Sequence, residues 1–281
     1  MALQASVTVL VENTVRARGM CGEHGLAFWI EWGERRLLYD TGQGLCLARN
    51  ARKLRVDLAS TDTVVFSHGH YDHTGGLGVV LDSGARPRIC AHPAAFEPKL
   101  VQRADGQIQE IGLPAPVAER IHGEKLEVVH SEKITEIAKG LFVTGEIPKT
   151  TDFEAPSAAF LKDEQGTLDP LVDDQAVFFD TDEGLVILTG CAHAGIINTV
   201  RHVQSYLSGR RVHTIIGGMH LAGTPVSRLE ATVRALEEIE PARIGPAHCT
   251  GIRATTRLWH DMPEAAVEAI VGSRWSYLVR S

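Results

Sequence analysis

Short apolar runs, many of which alternate with polar residues, predict a chain rich in β-strands with a few helices. Apolar residues at helical spacing favour helices over residues 45–54, 77–81, 196–207 and 227–239. In the last helix, Ser227 and Glu230 have the spacing of an N-terminal capping box. The predicted strands are residues 7–11, 26–32, 35–39, 63–66, 88–91, 126–129, 141–143, 176–179, 185–188, 212–216, 243–244 and 275–279.

The order of these elements predicts the architecture. Each half of the chain begins with strands and continues with strands that alternate with helices, which is typical of α/β proteins. We therefore expect an α/β sandwich of two mixed β-sheets with helices on the outside. Since no linker or repeat divides the chain, we predict a single domain over residues 1–281. Residues 93–124 contain four prolines and are predicted to form a loop-rich insertion.

Composition and charge indicate which kinds of binding partner and which cell compartment to expect. Of the 281 residues, 44% are hydrophobic, and the net charge of −7 argues against nucleic acid or an anionic membrane as a partner. The five cysteines are odd in number and include no C-x-x-C pair, which favours a reducing compartment over a disulfide framework. Without a leader-like N-terminal segment, we expect a cytoplasmic protein that acts on a small molecule. The oligomeric state is left open.

Residues 67–76, S-H-G-H-Y-D-H-T-G-G, place four metal-binding side chains within six positions. They follow a predicted buried strand, and the glycines allow the chain to turn so that the side chains converge. The four side chains are His68, His70, Asp72 and His73, more than one tetrahedral ion needs from a single loop. We therefore predict a site for two divalent metal ions. Zinc is the expected metal, and manganese or iron are the alternatives.

Two later strand ends carry residues of the same chemistry. Residues 185–188 are followed by T-G-C-A-H-A-G, in which Cys191 and His193 can both bind a metal. The spacing does not decide between them, and Cys191 can equally be a small buried residue. The strand at 243–244 is followed by His248, which we predict to be a ligand. The adjacent Cys249 is expected to point elsewhere and to have only a structural role.

Three residues at other strand ends are assigned roles near the metals. His220 follows two glycines that allow a substrate to approach, so we predict that it contacts substrate or donates a proton; a packed or surface histidine is the alternative. Asp40 is predicted to orient a metal-bound imidazole, or else to form a plain turn. Glu146 also ends a strand and can bind metal or touch the substrate.

The H-x-H-x-D-H motif at residues 68–73 resembles the most specific signature of the metallo-β-lactamase superfamily, and the D-T-G at 40–42 matches its strand-end aspartate. The resemblance covers essentially the whole chain. It implies an αββα sandwich with a dinuclear metal site along one edge of the sheets. It also implies which side chains hold each ion: His68 and His70 the first, and Asp72, His73 and His248 the second.

The middle motifs depart from the usual pattern of that family, which has a Pro-Gly-His turn and then a Gly-Asp whose carboxylate bridges the metals. Here residues 144–146 read T-G-E, and Cys191 falls where the bridging aspartate would stand. Whether Glu146, Cys191 or His193 completes the metal shell is therefore left open. The departures are similar to one branch, that of the archaeal synthase that joins a dihydropterin to ribofuranosylaminobenzene phosphate. Its motifs are E-H-G-L at 23–26, G-E-I-P at 145–148, G-C-A-H-A-G at 190–195, G-G-M-H at 217–220 and P-A-H-C-T-G at 246–251.

The predicted function is metal-dependent hydrolysis of a phosphoester or a related small molecule. Two bound metals would lower the pKa of water from about 15.7 towards 7 and so provide hydroxide as the nucleophile. Asp72 is predicted to bind metal and orient that nucleophile, and His220 to protonate the leaving group. One alternative is a pterin-type transferase in which the metals activate a diphosphate leaving group. Another is a metal-containing sensor or binding protein without turnover.

Overall fold

The apolar runs form strands that are buried along nearly their whole length, because the sheet is covered on both faces. The computed structural model describes residues 3–154 and 159–280. In these ranges the strands are β1 (Leu3–Val11), β2 (Ala27–Trp32), β3 (Arg35–Tyr39), β4 (Thr63–Val65), β5 (Arg88–Ala91), β6 (Leu100–Gln102), β7 (Ile108–Glu110), β8 (Val128–His130), β9 (Thr135–Ala138), β10 (Leu141–Val143), β11 (Phe160–Leu161), β12 (Ala176–Thr181), β13 (Gly184–Thr189), β14 (Val212–Gly218), β15 (Arg243–Ala247) and β16 (Arg274–Val279). The helices are α1 (Leu47–Leu54), α2 (Tyr71–Thr74), α3 (Leu77–Asp82), α4 (Ala115–Gly123), α5 (Ile196–Tyr206), α6 (Val226–Ile239) and α7 (Gly251–Asp261).

Thirteen of the described strands form two mixed half-sheets that meet along a narrow seam. Their order is β15-β14-β13-β12-β16-β1-β2-β3-β4-β5-β8, with β10 beside β12 and β9 beside β10. At the seam, β12 and β16 pair only through Thr181 and Val279. The half-sheets face each other across an inner apolar core, in which the rings of Trp32 and Phe179 lie 5.0 Å apart. This packing confirms the predicted sandwich of two mixed sheets.

Helices cover the outer face of each half-sheet. α1, α3 and α4 bury apolar side chains such as Leu47 and Ile121 against the half that contains β1 to β5. α5, α6 and α7 bury side chains such as Val200 and Leu258 against the half that contains β12 to β15. Each large apolar side chain removed from water in this way stabilises the fold by about 1.5–3 kcal/mol. The order of layers is therefore helix, sheet, sheet, helix, which is the predicted αββα fold.

Two local predictions need correction. The capping box at Ser227 does not form, because α6 begins one residue earlier, at Val226, and Pro225 occupies the capping position. The backbone N–H of Leu229 bonds to the carbonyl of Pro225, so Ser227 already lies inside the first turn. Residues 93–124 contain more regular structure than predicted: β6 and β7 form a hairpin that pairs with β11, and α4 follows Pro114. That one domain spans residues 1–281 stays a prediction.

The parallel strands of both half-sheets end at the same edge of the sandwich. β3 and β4 are parallel in one half, and β13, β14 and β15 are parallel in the other. Chain segments that follow the carboxyl ends of parallel strands commonly form ligand sites. The edge where these five strands end is therefore where the predicted site residues should meet. Within residues 3–154 and 159–280, no helix combines the length and hydrophobicity needed to cross a bilayer.

Candidate metal centre

Most of the predicted site residues follow five of the parallel strands directly. Asp40 follows β3, the H-x-H-x-D-H segment follows β4, and Cys191, His220 and His248 stand just after β13, β14 and β15. The two half-sheets approach closely here because residue 190 is glycine. A Cβ atom at Gly190 would overlap the Oγ of Ser67 on the opposite half. The sequence thus brings ligands from both halves of the chain to one place.

Three buried imidazoles form the first cluster, the three-histidine group of His68, His70 and His193. The Nε2 of His68 lies 2.9 Å from Nδ1 of His70 and 3.3 Å from Nε2 of His193. A single N–H can satisfy only part of such a cluster, whereas a divalent cation would be bound by all three nitrogens. His193 thus joins the two histidines of the motif, as its predicted role as a ligand requires.

The second cluster, the mixed group, contains Asp72, His73, His248 and Cys191. The Nε2 of His73 lies 3.2 Å from Nε2 of His248 and 3.2 Å from Sγ of Cys191. The Oδ2 of Asp72 is 3.3 Å from Nε2 of His248 and 3.8 Å from Nε2 of His73. The carboxylate and the two imidazoles therefore lie within 3.8 Å of one another, and the thiol lies next to the ring of His73. These are donor types that bind zinc and related cations.

The electrostatics of both clusters fit metal ligands. Burial, followed by the neighbouring histidines, holds the pKa of His68 and of His193 well below the ordinary value, so these rings are neutral and keep a free lone pair. In the mixed group, burial alone would lower the pKa of His73, but the carboxylates of Asp40 and Asp72 raise it to about 9. These two carboxylates therefore make the electrostatic potential at His73 negative, which favours a positive charge at this position.

Hydrogen bonds fix the orientation of three of the predicted ligands. The Nδ1 of His73 lies 2.7 Å from Oδ2 of Asp40, and the Oγ of Ser67 lies 2.8 Å from Nδ1 of His68. Asp40 also accepts hydrogen bonds from the hydroxyl and the backbone N–H of Ser67. Asn13 orients the ring of His248 in the same way, because Oδ1 of Asn13 lies 3.0 Å from Nδ1 of His248. In each case the outer ring nitrogen is engaged, which leaves Nε2 directed at the cluster.

The backbone is strained at this edge of the sandwich. Left-handed φ angles, which cost about 1–3 kcal/mol for residues other than glycine, occur at Asp40 (60°), Ala192 (52°), His220 (46°) and His248 (49°). All four lie at strand ends that supply site residues. Such strain persists where the surrounding structure requires a special side-chain direction, and it supports the view that this edge is the functional one.

Besides Asn13, sequence reasoning missed two further residues of the site. The Nε2 of His24 lies 3.2 Å from Oδ2 of Asp72, and its ring centroid is 4.7 Å from that of His248. Cys249 does not point elsewhere as expected, since its sulfur belongs to a group with Cys191 and His248 whose donor atoms lie within 4.8 Å of one another. The only signal for either residue was its place inside the E-H-G-L and P-A-H-C-T-G motifs.

Glu146 does not join the centre. Its side chain is exposed and lines a separate cleft with Lys133 and His202. The left-handed Gly145 turns the chain away after β10, so a strand end of the same appearance leads to a different place. None of the metal-competent groups formed by the described residues includes Glu146.

His220 lies beside the three-histidine group without belonging to it. Its ring centroid is 4.3 Å from that of His193. Phe160 covers the same side, with its ring centroid 5.7 Å from His220 and 5.4 Å from His70. Burial, and then the charge of Arg228, lower the pKa of His220 to about 4. The ring is therefore neutral at pH 7 and offers an N–H group next to the candidate metal centre.

Replacing Asp40 with Asn is expected to weaken binding of one of two cations by about 10–100-fold, because His73 loses the carboxylate that orients it. Isothermal titration of metal-free protein with zinc measures the change. Asp62→Asn is the matched control, since its carboxylate also accepts a backbone N–H but lies at the opposite end of β4. Equal zinc affinities in the Asp40→Asn variant and the unmodified protein would contradict the orienting role of Asp40.

Comparison with known proteins agrees with this geometry. The sequence profile described as the metallo-beta-lactamase superfamily matches residues 22–248, a range that includes both clusters. The protein named 7,8-dihydropterin-6-methyl-4-(beta-D-ribofuranosyl)-aminobenzene-5'-phosphate synthase of Methanocaldococcus jannaschii is 30% identical over 253 residues, 86% of either chain. The uncharacterized protein MJ0448 of the same organism is 30% identical over 90% of this chain and 93% of its own. The crystal structure of Tm1679, a metal-dependent hydrolase of the beta-lactamase superfamily, matches with a TM-score of 0.80 at 27% identity and covers 96% of this chain and 98% of its own.

Proposed function

The chain belongs to the metallo-beta-lactamase superfamily, and from this premise we propose that it is a metal-dependent hydrolase of a phosphoester or related small molecule. The observation that carries the proposal is the adjacency of the two clusters, whose His68 and His73 ring centroids are 4.2 Å apart. Two divalent ions held there would polarise a substrate oxygen and lower the pKa of water from about 15.7 to about 7. The donor set favours zinc, with manganese or iron as alternatives.

The chain's own residues would bind and orient the reactants. The carboxylate of Asp72 faces both His73 and His248, so it can accept a hydrogen bond from an attacking water and aim it. Burial alone would raise the pKa of Asp72, but the charge of His73 and hydrogen bonds from His24 and His248 hold it below the ordinary value. Asp72 therefore stays ionised and remains an acceptor at neutral pH. Because its ring is neutral at pH 7, His220 would donate a hydrogen bond from its N–H to the leaving group, and the proton that the leaving group takes up would come from water.

The surroundings of His220 favour an anionic small molecule as substrate. Arg228 on α6 is close enough for its positive charge to lower the pKa of His220, second only to burial. Arg228 also interacts with the carboxylate of Glu154, and the part of its positive charge that this carboxylate does not balance would attract phosphate or carboxylate groups. Phe160 lies across the three-histidine group and excludes water from one side of it. These features suit a compact anion better than a polymer such as nucleic acid.

A transferase is the second candidate, because the Methanocaldococcus jannaschii relative is named a synthase. In that case the same residues would bind a diphosphate-activated substrate, and a carbon nucleophile of an acceptor would take the place of water. Hydrolase and transferase differ in whether turnover requires that acceptor.

The test is turnover of simple phosphodiesters and phosphomonoesters by zinc-loaded protein in the absence of any acceptor. We expect hydrolysis that a chelator abolishes and added zinc restores. The Glu146→Gln variant should keep full activity, because the side chain is exposed and outside the centre. Turnover that appears only when a diphosphate-activated dihydropterin and an aminobenzene-type acceptor are both supplied would favour the transferase. Tight binding of substrate analogues without any turnover would favour a sensor and contradict both enzyme proposals.

A further inference from the structure

We propose that Asp174 is a positioning residue, whose buried carboxylate holds the turn that carries His193 at a fixed distance from residues 67–70. The inference rests on the proposed metal-dependent function, and it concerns a residue outside the metal-competent groups that the described residues form. Asp174 is 1% exposed. Its Oδ2 accepts a hydrogen bond of 2.9 Å from the backbone N–H of Ala194, the residue directly after His193.

The strand topology brings Asp174 to the functional edge. It belongs to a buried polar segment, residues 173–175, that directly precedes β12. β12 is antiparallel to β13, and its first residue, Ala176, pairs with Thr189 at the end of β13. The segment therefore lies where β13 ends. Three consecutive buried polar side chains are costly unless each has hydrogen-bond partners, so the contacts of this segment explain why it is buried.

The other two residues of the segment bind the opposite half-sheet. The Oδ2 of Asp173 accepts a hydrogen bond of 2.8 Å from the backbone N–H of Gly69. The side-chain amide of Gln175 donates to the carbonyl of Phe66 at 2.8 Å, and its backbone N–H donates to the carbonyl of Ser67 at 2.9 Å. One short segment is thus bonded to the chain on both sides of the three-histidine group.

His193 needs such support from its backbone. The ring of His68 is oriented by a hydrogen bond at its outer nitrogen, whereas Nδ1 of His193 has no hydrogen-bond partner within residues 3–154 and 159–280. With Zn–N bonds of about 2.0–2.1 Å, two nitrogens of a tetrahedral site are about 3.3–3.4 Å apart. The Nε2 atoms of His68 and His193 lie 3.3 Å apart. The two turns therefore already hold these rings at the separation that a cation requires.

The state of the Asp174 carboxylate determines which substitutions are informative. Burial raises the pKa of Asp174 to about 6, and hydrogen bonds from the N–H groups of Ala194 and His193 oppose that rise. The carboxylate is therefore mainly ionised at pH 7 and is a strong acceptor. Among the described residues, its other oxygen, Oδ1, has no hydrogen-bond partner. Asparagine can thus supply the one oxygen that is used, whereas alanine cannot.

Isothermal titration of metal-free protein with zinc tests the proposal. Asp174→Ala should weaken binding of one of two cations by about 10-fold or more, because the turn that carries His193 is released. Asp174→Asn should bind that cation at least about threefold more tightly than Asp174→Ala, because its amide oxygen still accepts the N–H of Ala194. Asp180→Ala is the matched control, since half-buried Asp180 lies at the other end of β12 and pairs with Arg210. Its zinc affinity should equal that of the unmodified protein.

Amide hydrogen exchange in the unmodified, metal-free protein gives a second measurement that needs no variant. We expect the N–H of Ala194 to exchange at least about 100-fold more slowly than in an open chain, because Asp174 holds the turn before any ion binds. An unprotected N–H at Ala194 would overturn the proposal. Equal zinc affinities in Asp174→Ala and the unmodified protein would also overturn it. So would equal weakening in the alanine and asparagine variants, since the charge would then be the cause.

Neither measurement depends on turnover, so the two proposals fail separately. Metal-dependent hydrolysis in a protein whose zinc affinity does not respond to Asp174→Ala would overturn the positioning role alone. The expected zinc affinities and a protected Ala194 without hydrolysis of any phosphoester would support the positioning role and contradict the proposed function alone.

Discussion

Replacement of His68 or of Asp72 by alanine is expected to reduce hydrolysis by about 10³-fold or more, the scale found when one member of an interdependent set is removed. His68 is central to the three-histidine group, because its Nε2 faces both of the other rings. Asp72 is the carboxylate that His73 and His248 of the mixed group share. Each substitution therefore removes the common partner of one cluster. We expect one of the two bound metals to be lost in either variant.

The fold should persist in both variants. His68 and Asp72 lie after β4, outside the three apolar cores that hold the layers together. Elemental analysis gives the metal content, and far-ultraviolet circular dichroism gives the secondary structure. His202→Ala is the matched control, since His202 is half-buried but belongs to none of the metal-competent groups found within residues 3–154 and 159–280. Full activity and two metals per chain in both the His68 and Asp72 variants would contradict the assignment.

The sequence predicted the candidate centre well where the ligands are close together along the chain. The H-x-H-x-D-H segment shows its chemistry without knowledge of the fold, because four donors lie within six residues. His193 and His248 could also be predicted, since each follows an apolar strand and parallel strands end at a common edge. The same signal failed at Glu146, where the turn at Gly145 leads out to solvent. A strand end marks a candidate position, and the direction of the following turn decides whether it joins the site.

The residues that sequence reasoning missed act across long separations in the chain. Asn13 orients His248, 235 positions later, and nothing around Asn13 indicates that contact. Cys249 meets Cys191 only because β13, β14 and β15 are neighbours, and strand order cannot be derived from apolar periodicity. At Ser227 the predicted capping box is absent, because Pro225, two residues earlier, holds the capping position and Ser227 lies within the first turn of α6. Periodicity therefore predicts elements, while their ends and contacts depend on the tertiary structure.

The prediction that residues 93–124 form a loop-rich insertion gave no indication of a buried ion pair in this segment. Lys99, next to β6, is only 2% exposed and lies 3.0 Å from the carboxylates of both Asp169 and Asp173. Asp173 in turn accepts a hydrogen bond from the backbone N–H of Gly69, the residue between His68 and His70. The lysine thus supports the turn that carries His68 and His70, two of the candidate metal ligands. A lone lysine in a proline-rich segment gives no sign of partners 70 positions away.

Lys99→Met is expected to lower the free energy of unfolding by about 3–5 kcal/mol at pH 7, because two buried carboxylates lose their cation. Burial alone would lower the pKa of Lys99, but Asp173 and Asp169 raise it above the ordinary value. A cation whose pKa is higher in the folded state stabilises the fold at every pH below its unfolded pKa of about 10.4. The contribution is lost as pH rises through the folded value. The unmodified protein therefore keeps the whole contribution at pH 7.

In the Lys99→Met variant, the loss should shrink as the solution is acidified, because protonation neutralises the unpaired carboxylates. Burial already raises the pKa of Asp173 with Lys99 present, and removal of the lysine raises it further. Urea unfolding at pH 5 and pH 8 measures the difference.

Lys139→Met, at an exposed lysine, should change stability by less than about 0.5 kcal/mol at either pH. Adding Asp169→Asn to Lys99→Met should recover about 1 kcal/mol or more, since one unpaired charge is removed. A loss that is equal at both pH values would show that lost packing, and not the ion pair, accounts for the effect.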